Sequence, residues 1–100
     1  MSHKLVFTDE AKSQLRDLQH DPDERNLAKL AKVRTCLGRL ETNLRHPGLQ
    51  SHEFTSLKGM NGEKVFEAYV ENKTPGAWRV FWHYGRAQGK MTIAAITPHP

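Results

Sequence analysis

Three successive runs of sequence decide the fold: KVFEAYVE at 64–71, AWRVFWHY at 77–84 and MTIAAIT at 91–97. Each run is rich in β-branched and aromatic residues, which favour the half-buried, pleated surface of a strand. Glycine, proline and asparagine separate the runs, so each run is predicted to be one strand. Because the connections between them are short, neighbouring strands are predicted to pair antiparallel.

Two more strands are predicted outside these runs. Residues 52–58 form a strand that leads into Gly59-Met-Asn-Gly62, where the Asn-Gly pair is typical of a hairpin turn. Residues 4–7 form a short strand at the start of the chain. The sheet is therefore predicted to contain four to five strands, mostly antiparallel.

Two helices are predicted in the first half of the chain. Thr8 is placed to cap the first helix, and Asp21 or Asp23 is placed to cap the second. Apolar residues recur along the second helix at steps of three and four, which predicts one apolar stripe: Leu27, Leu30, Val33, Leu37, Leu40 and Leu44. The predicted fold class is α+β, with a helical hairpin packed on one face of the sheet and residues 1–100 forming a single domain.

The composition favours a globular protein with a polyanionic partner. The chain has a net charge of +4 and is 37% hydrophobic and 26% charged, and a basic surface attracts phosphates. No apolar run approaches the ~20 residues of a membrane span, and the N-terminus lacks the apolar core of a signal peptide. The single cysteine, Cys36, forms no disulfide framework or thiolate zinc site within the chain. The lone cysteine indicates a reducing, cytoplasmic setting. The six histidines match no metal-ligand spacing, so we expect neither a metal nor a cofactor.

Strand alternation divides the side chains between two faces of the sheet. The more apolar set, which includes Val80 and Trp82, is predicted to pack on the helices. The second set is predicted to lie on an uncovered face: Glu67, Tyr69, Arg79, Phe81 and His83, with Lys58 joining from the neighbouring strand. Cations interleaved with aromatic rings can hold single-stranded RNA, because bases stack on rings at about 1–3 kcal/mol each. The alternative is that Glu67 and Arg79 form an ion pair on a wet sheet face, worth under about 1 kcal/mol.

These features resemble the RelE/ParE superfamily of bacterial toxins, which belong to type II toxin–antitoxin pairs. The resemblance covers nearly the whole chain: the opening strand and helical hairpin, the Leu57-Lys58-Gly59 turn, the strand at 77–81 and the ending at 93–99. It implies an antitoxin protein as partner. In ribosome-dependent members it also implies cleavage of mRNA in the ribosomal A site, with the ribose 2′-hydroxyl as nucleophile and no small-molecule cofactor.

The resemblance also implies roles for individual residues. Arg79 matches an arginine that balances the charge growing on the phosphorane, Lys58 matches a second positive contact, and His99 matches a general acid toward the 5′-oxygen. The predicted catalytic set is Arg79, His99, Lys58 and Glu67, and the predicted RNA-binding set is Tyr69, Phe81, His83 and His52. The similar subgroup often has a glutamate three residues before the turn lysine, where this chain has Thr55. Glu67 and His52 are therefore both open as the general base.

Two other functions stay open at this point. One is a ParE-like inhibitor of DNA gyrase that cleaves nothing; Arg79, Lys58 and His99 argue against it, because that branch typically lacks this set. The other is a non-catalytic relative that only binds a partner protein, an interpretation that Glu67 and Thr55 keep alive.

Overall fold

A computed structural model describes residues 3–21, 23–72, 76–85, 87 and 89–99 of the chain. In chain order, these residues form β1 at Lys4–Phe7, α1 at Asp9–His20, α2 at Glu24–Thr42, a short 3-10 helix at Pro47–Leu49, β2 at His52–Lys58, β3 at Lys64–Tyr69, β4 at Trp78–Tyr84 and β5 at Lys90–Pro98. The strands lie in the order β1-β5-β4-β3-β2. Strand β1 pairs parallel with β5, and the other neighbours pair antiparallel. The predicted α+β fold with two helices and a mostly antiparallel sheet is confirmed.

Both helices begin at the predicted type of cap. The Thr8 hydroxyl accepts a hydrogen bond from the Ala11 backbone N–H at 3.1 Å. Asp23, rather than Asp21, caps α2 by accepting from the Arg25 backbone N–H at 2.8 Å. Since the first N–H groups of a helix have no partner within the helix, each cap satisfies one of them.

The larger core lies between the helices and one face of the sheet. The apolar stripe of α2 is buried from Leu30 to Leu40, whereas Leu27 on the first turn is exposed. It packs against side chains from the predicted inner face of the strands: Ala68, Val80, Trp82, Ile93 and Ile96. The division of the strand residues between two faces is confirmed on this side.

The prediction of an uncovered second face is wrong for four residues: Glu67, Arg79, Phe81 and His83 are all buried. They lie away from the helices, where Phe54, Val65, Phe81 and Ala95 form a second, smaller core. The pairing of β2 with β3 shifts register between Glu53 and Lys58, and such irregularities bend and twist a strand. As a result, the Phe54 ring of β2 reaches the Phe81 ring of β4, two strands away, at a centroid distance of 5.1 Å.

Within the described part of the chain, no helix is both long enough and apolar enough to cross a membrane.

Candidate active site

The candidate site is built around the carboxylate of Glu67 on β3, which is 1% exposed. Its Oε1 lies 3.1 Å from His52 Nε2 and 3.6 Å from Arg79 Nε, and its Oε2 lies 3.5 Å from His99 Nε2. The three partners come from the start of β2, from β4 and from the segment after β5. We call Glu67, Arg79, His52 and His99 the carboxylate cluster. A carboxylate this deeply buried is stable as an ion only when opposite charge and hydrogen-bond donors surround it.

Arg79 is held in place by several contacts besides Glu67. Its Nη1 donates to the Glu71 carbonyl at 2.5 Å and to the Trp78 carbonyl at 3.0 Å. Its guanidinium lies over the Tyr69 ring at 3.7 Å from the ring centroid, a favourable cation–π arrangement. Because Arg79 and Glu67 are both buried, neither an open RNA-binding face nor an ion pair on a wet surface describes them. Removing one partner of such a buried pair typically costs about 3–5 kcal/mol.

The two imidazoles of the carboxylate cluster are accessible, unlike its carboxylate. The side chains of His52 and His99 are 49% and 43% exposed. His52 Nδ1 lies 2.8 Å from the Gln50 carbonyl, so both of its ring nitrogens face oxygen acceptors. The ring of His99 meets the ring of Phe54 edge-on at 6.0 Å between centroids. The imidazoles are therefore the members of the cluster that a molecule outside the protein can reach most easily.

A groove of about 1270 Å³ opens beside the cluster, between β2, the start of α1 and the end of β5. We call it the front groove. Its lining includes Phe54, Lys58, Met60, Phe81, His83 and His99. Lys58 is half-exposed, and its Nζ lies 3.8 Å from Glu53 Oε2. The structure thus places Lys58 and His99 on one groove, and it places both His99 and Arg79 against the carboxylate of Glu67.

The remaining sequence-predicted RNA contacts have different surroundings. Phe81 is 1% exposed and belongs to the small core, so it has no free face for a base. His83 Nδ1 lies 3.0 Å from the Tyr84 carbonyl and 4.0 Å from Glu63 Oε2. Hydrogen bonds from the backbone N–H groups of Glu63 and Asn61 lower the pKa of the Glu63 carboxyl. Tyr69 is partly buried beneath Arg79, where it supports the guanidinium.

Sequence reasoning missed three residues that shape the site. Phe54 packs on both Phe81 and His99, Glu53 pairs with Lys58, and Glu71 offers its carbonyl to Arg79. The alternation of Phe54 with Ser56 and Lys58 gave a signal for the first. The other two contacts depend on how β2 bends and on how the chain leaves β3, which strand alternation does not report.

The described residues contain no group of three or more His, Cys, Asp or Glu side chains suited to hold a metal ion. Cys36 is buried in the larger core, as predicted, and burial raises the pKa of its thiol to about 12. A thiol in that state is a poor nucleophile, because the thiolate is the reactive form. Cys36 therefore belongs to the packing of α2.

The fold is that of the RelE/ParE-type toxins. A YoeB/ParE toxin from Agrobacterium tumefaciens is similar with a TM-score of 0.68 and 11% identity, over 97% of this chain and 99% of that chain. The E. coli DinJ–YafQ toxin–antitoxin complex contains a chain similar with a TM-score of 0.64 and 14% identity, over 99% of this chain and 94% of that chain. For the archaeal RelE–RelB complex from Pyrococcus horikoshii the TM-score is 0.62 at 14% identity, over 98% of this chain and 96% of that chain.

The TM-scores show a shared fold, and they confirm the fold that the sequence resemblance predicted. No protein-family model and no curated protein matches the sequence.

Proposed function

We propose that this protein is the toxin of a type II toxin–antitoxin pair, and that it cleaves mRNA on the ribosome without a metal. The observation that carries the proposal is the carboxylate cluster, in which one guanidinium and two imidazoles contact the carboxylate of Glu67 and one of these imidazoles, His99, lines the front groove. Such groups suffice to cleave RNA through its own ribose 2′-hydroxyl, because the chemistry requires charge stabilisation and two proton transfers. The shared toxin fold supports the same proposal.

The proposed reaction breaks one bond and forms one bond at phosphorus. The 2′-hydroxyl oxygen attacks the adjacent phosphorus, its proton passes to a base, and the bond from phosphorus to the 5′-oxygen breaks. His99 donates a proton to that 5′-oxygen, since its imidazole is exposed and lines the front groove. The products are a 2′,3′-cyclic phosphate and a 5′-hydroxyl.

Two cations have distinct roles in this reaction. Lys58 is half-exposed on the wall of the front groove and binds a phosphate oxygen of the incoming RNA. Arg79 is held rigidly and contributes a fixed positive charge that stabilises the phosphorane. His52 is the exposed basic group on the other oxygen of Glu67. It takes the 2′-hydroxyl proton once its ring turns away from one of its two acceptors.

The proposed partner is an antitoxin that covers the front groove. The groove is bordered by the exposed apolar side chains of Leu57 and Met60 next to Lys58. An antitoxin segment with apolar and acidic side chains matches this surface. Co-expression of such a partner is expected to relieve any growth arrest caused by this chain.

The test compares the wild type with His99→Ala in induced cells and in a purified translation system. The wild type is expected to arrest growth and to cut mRNA only when ribosomes are present. The new 5′-ends carry a hydroxyl, so a kinase labels them without prior phosphatase treatment. His99→Ala is expected to cleave about 10²- to 10⁴-fold more slowly.

The matched control is His20→Ala, which removes an exposed histidine at the end of α1. It is expected to cleave at the wild-type rate. Wild-type cleavage by His99→Ala would contradict the proposed mechanism. Growth arrest with DNA-damage signalling and intact mRNA would favour the gyrase inhibitor, and no growth defect at all would favour the non-catalytic relative.

A further inference from the structure

We propose that Glu67 is a positioning residue, which orients the imidazoles of His52 and His99 beside Arg79 and exchanges no proton with the RNA. The inference rests on the proposed function, because the orientation matters for catalysis only if RNA is the substrate. It explains why an acidic residue, Glu67, lies close to a groove that is proposed to bind RNA.

Burial separates the role of Glu67 from the roles of its partners. The carboxylate is 1% exposed, whereas the two imidazoles that contact it are about half-exposed. A general base must come within hydrogen-bond reach of the proton it removes. RNA in the front groove therefore meets the exposed ring of His99, which lines that groove, whereas the buried carboxylate of Glu67 is not part of the lining.

The two oxygens of the carboxylate have different partners. Oε1 faces His52 Nε2 at 3.1 Å and Oε2 faces His99 Nε2 at 3.5 Å. The carboxylate of Glu67 on β3 therefore contacts two rings from distant segments, His52 at the start of β2 and His99 after β5. His52 Nε2 lies at hydrogen-bond distance from Oε1, and such a contact defines the orientation of a ring, as in the carboxylate–histidine pairs of many enzymes. Oε2 is buried without a hydrogen bond to any described residue, so its contact with His99 is one of ion-pair distance.

Arg79 is the second group that faces Oε1 of the carboxylate, since its Nε lies 3.6 Å away. The charged groups on the neighbouring elements are Glu53 and Lys58 on β2, which pair with each other.

This arrangement explains why an acid is compatible with RNA binding here. A carboxylate on the open surface repels phosphates, whereas the carboxylate of Glu67 is covered by its partners. With His99 as the acid and His52 as the base of the proposed reaction, the positive charges of Arg79 and His99 exceed the one negative charge of Glu67, which leaves a net charge of +1. The cluster is then cationic despite its carboxylate.

The test is Glu67→Gln, which keeps the shape of the side chain and removes its charge. Its matched control is Glu41→Gln, which makes the same change on the exposed surface of α2. In ¹⁵N NMR spectra, Glu67→Gln is expected to shift the ring signals of both His52 and His99 and to leave those of His20 in place. Glu41→Gln is expected to shift none of the three. Changes in neither ring, or in only one, would overturn the proposal.

Kinetics test the same claim through the reaction. Glu67→Gln is expected to lower kcat by about 10- to 100-fold, as removal of other imidazole-orienting carboxylates does, with a change in KM below about twofold. Because Glu67 is proposed to act through both imidazoles, adding Glu67→Gln to the double variant His52→Gln/His99→Gln is expected to lower kcat little further. Losses that multiply, or a kcat equal to that of Glu41→Gln, would overturn the proposal while leaving the nuclease function intact.

Two further measurements keep the outcomes separable. Glu67→Asp retains the buried charge and serves as the variant if Glu67→Gln does not fold; its shorter side chain is expected to shift both ring signals as well. If the wild type cuts no RNA, the proposed function fails. The NMR comparison then still decides whether Glu67 positions both imidazoles.

Discussion

The sequence and the structure predict opposite results for substitutions of Phe81. The strand pattern predicts a ring that stacks on a base, whereas the structure buries it at 1% exposure between Phe54, Val65 and Ala95. Phe81→Ala removes a buried ring, which typically costs about 3–5 kcal/mol, and the edge-on pair with Phe54 contributes about 0.5–1.5 kcal/mol of such a cost. Because the small core borders a groove and can partly collapse, we expect about 3 kcal/mol.

Urea unfolding followed by tryptophan fluorescence measures this loss, since Trp82 is buried in the larger core. With an m-value of about 1.5 kcal/mol/M, a loss of about 3 kcal/mol lowers the midpoint by about 2 M. Phe81→Leu fills most of the space and is expected to lose about 1–1.5 kcal/mol. Met60→Ala, at a fully exposed position, is expected to stay within about 0.5 kcal/mol of the wild type.

The result that refutes this reasoning is specific. If Phe81 stacks on RNA, Phe81→Leu and Phe81→Ala lose about 1–3 kcal/mol of RNA binding while their unfolding midpoints stay at the wild-type value. A midpoint of Phe81→Ala within the range of Met60→Ala would show that the small core contributes nothing. The proposed bending of β2 over the sheet would then be wrong as well.

Three further predictions follow from individual contacts. Thr8→Ala removes both the cap of α1 and a 2.8 Å hydrogen bond to the Ala94 carbonyl. We therefore expect the free energy of unfolding, measured in urea, to fall by about 1–2 kcal/mol. Thr8→Ser should keep most of the stability, and equal losses in the two variants would contradict the cap. Burial raises the pKa of the Cys36 thiol from 9.0 to about 12. The contribution of the buried neutral thiol to the free energy of unfolding is therefore complete below about pH 9 and is lost as the pH rises toward 12. Cys36→Ala should lack this part of the alkaline destabilisation, and parallel stability curves would refute it. The pKa of Glu63 is lowered below 4.5, so the contribution of its carboxylate to the free energy of unfolding is present above that pH and is lost as the pH falls through the folded pKa. The melting temperature of Glu63→Gln should therefore depend less on pH in this acid range than that of the wild type. An unchanged dependence would contradict the turn hydrogen bonds.

The sequence alone was sufficient for the elements of the fold. Helical spacing from Leu30 to Leu40 and alternation from Trp78 to Tyr84 are local signals, because each depends only on the period of one element. The cap at Thr8 and the Asn-Gly turn are local for the same reason. Their agreement with one another narrowed the fold to two helices on a mostly antiparallel sheet, which the structure confirms.

The candidate site was predicted only in part. Alternation correctly placed Glu67 and Arg79 on the side away from the helices, and the resemblance to the toxin family pointed to His99. Their mutual contacts were not predictable, since His52, Glu67 and His99 come from three separate segments. Alternation reports which face a side chain points to, and it carries no information on whether that face is covered.

That second question was decided by the tertiary structure alone. The pairing of β2 with β3 is irregular, and Phe54 reaches Phe81 across the sheet. His52 and His99 contact Glu67, and Tyr69 lies against Arg79, so this face is covered as well. Glu67, which the strand pattern predicted to lie on an uncovered face, is therefore a buried carboxylate in contact with Arg79 and the two imidazoles. The physical reason is that periodicity is a property of one strand, whereas exposure and electrostatic environment are set by all the strands that pack around it.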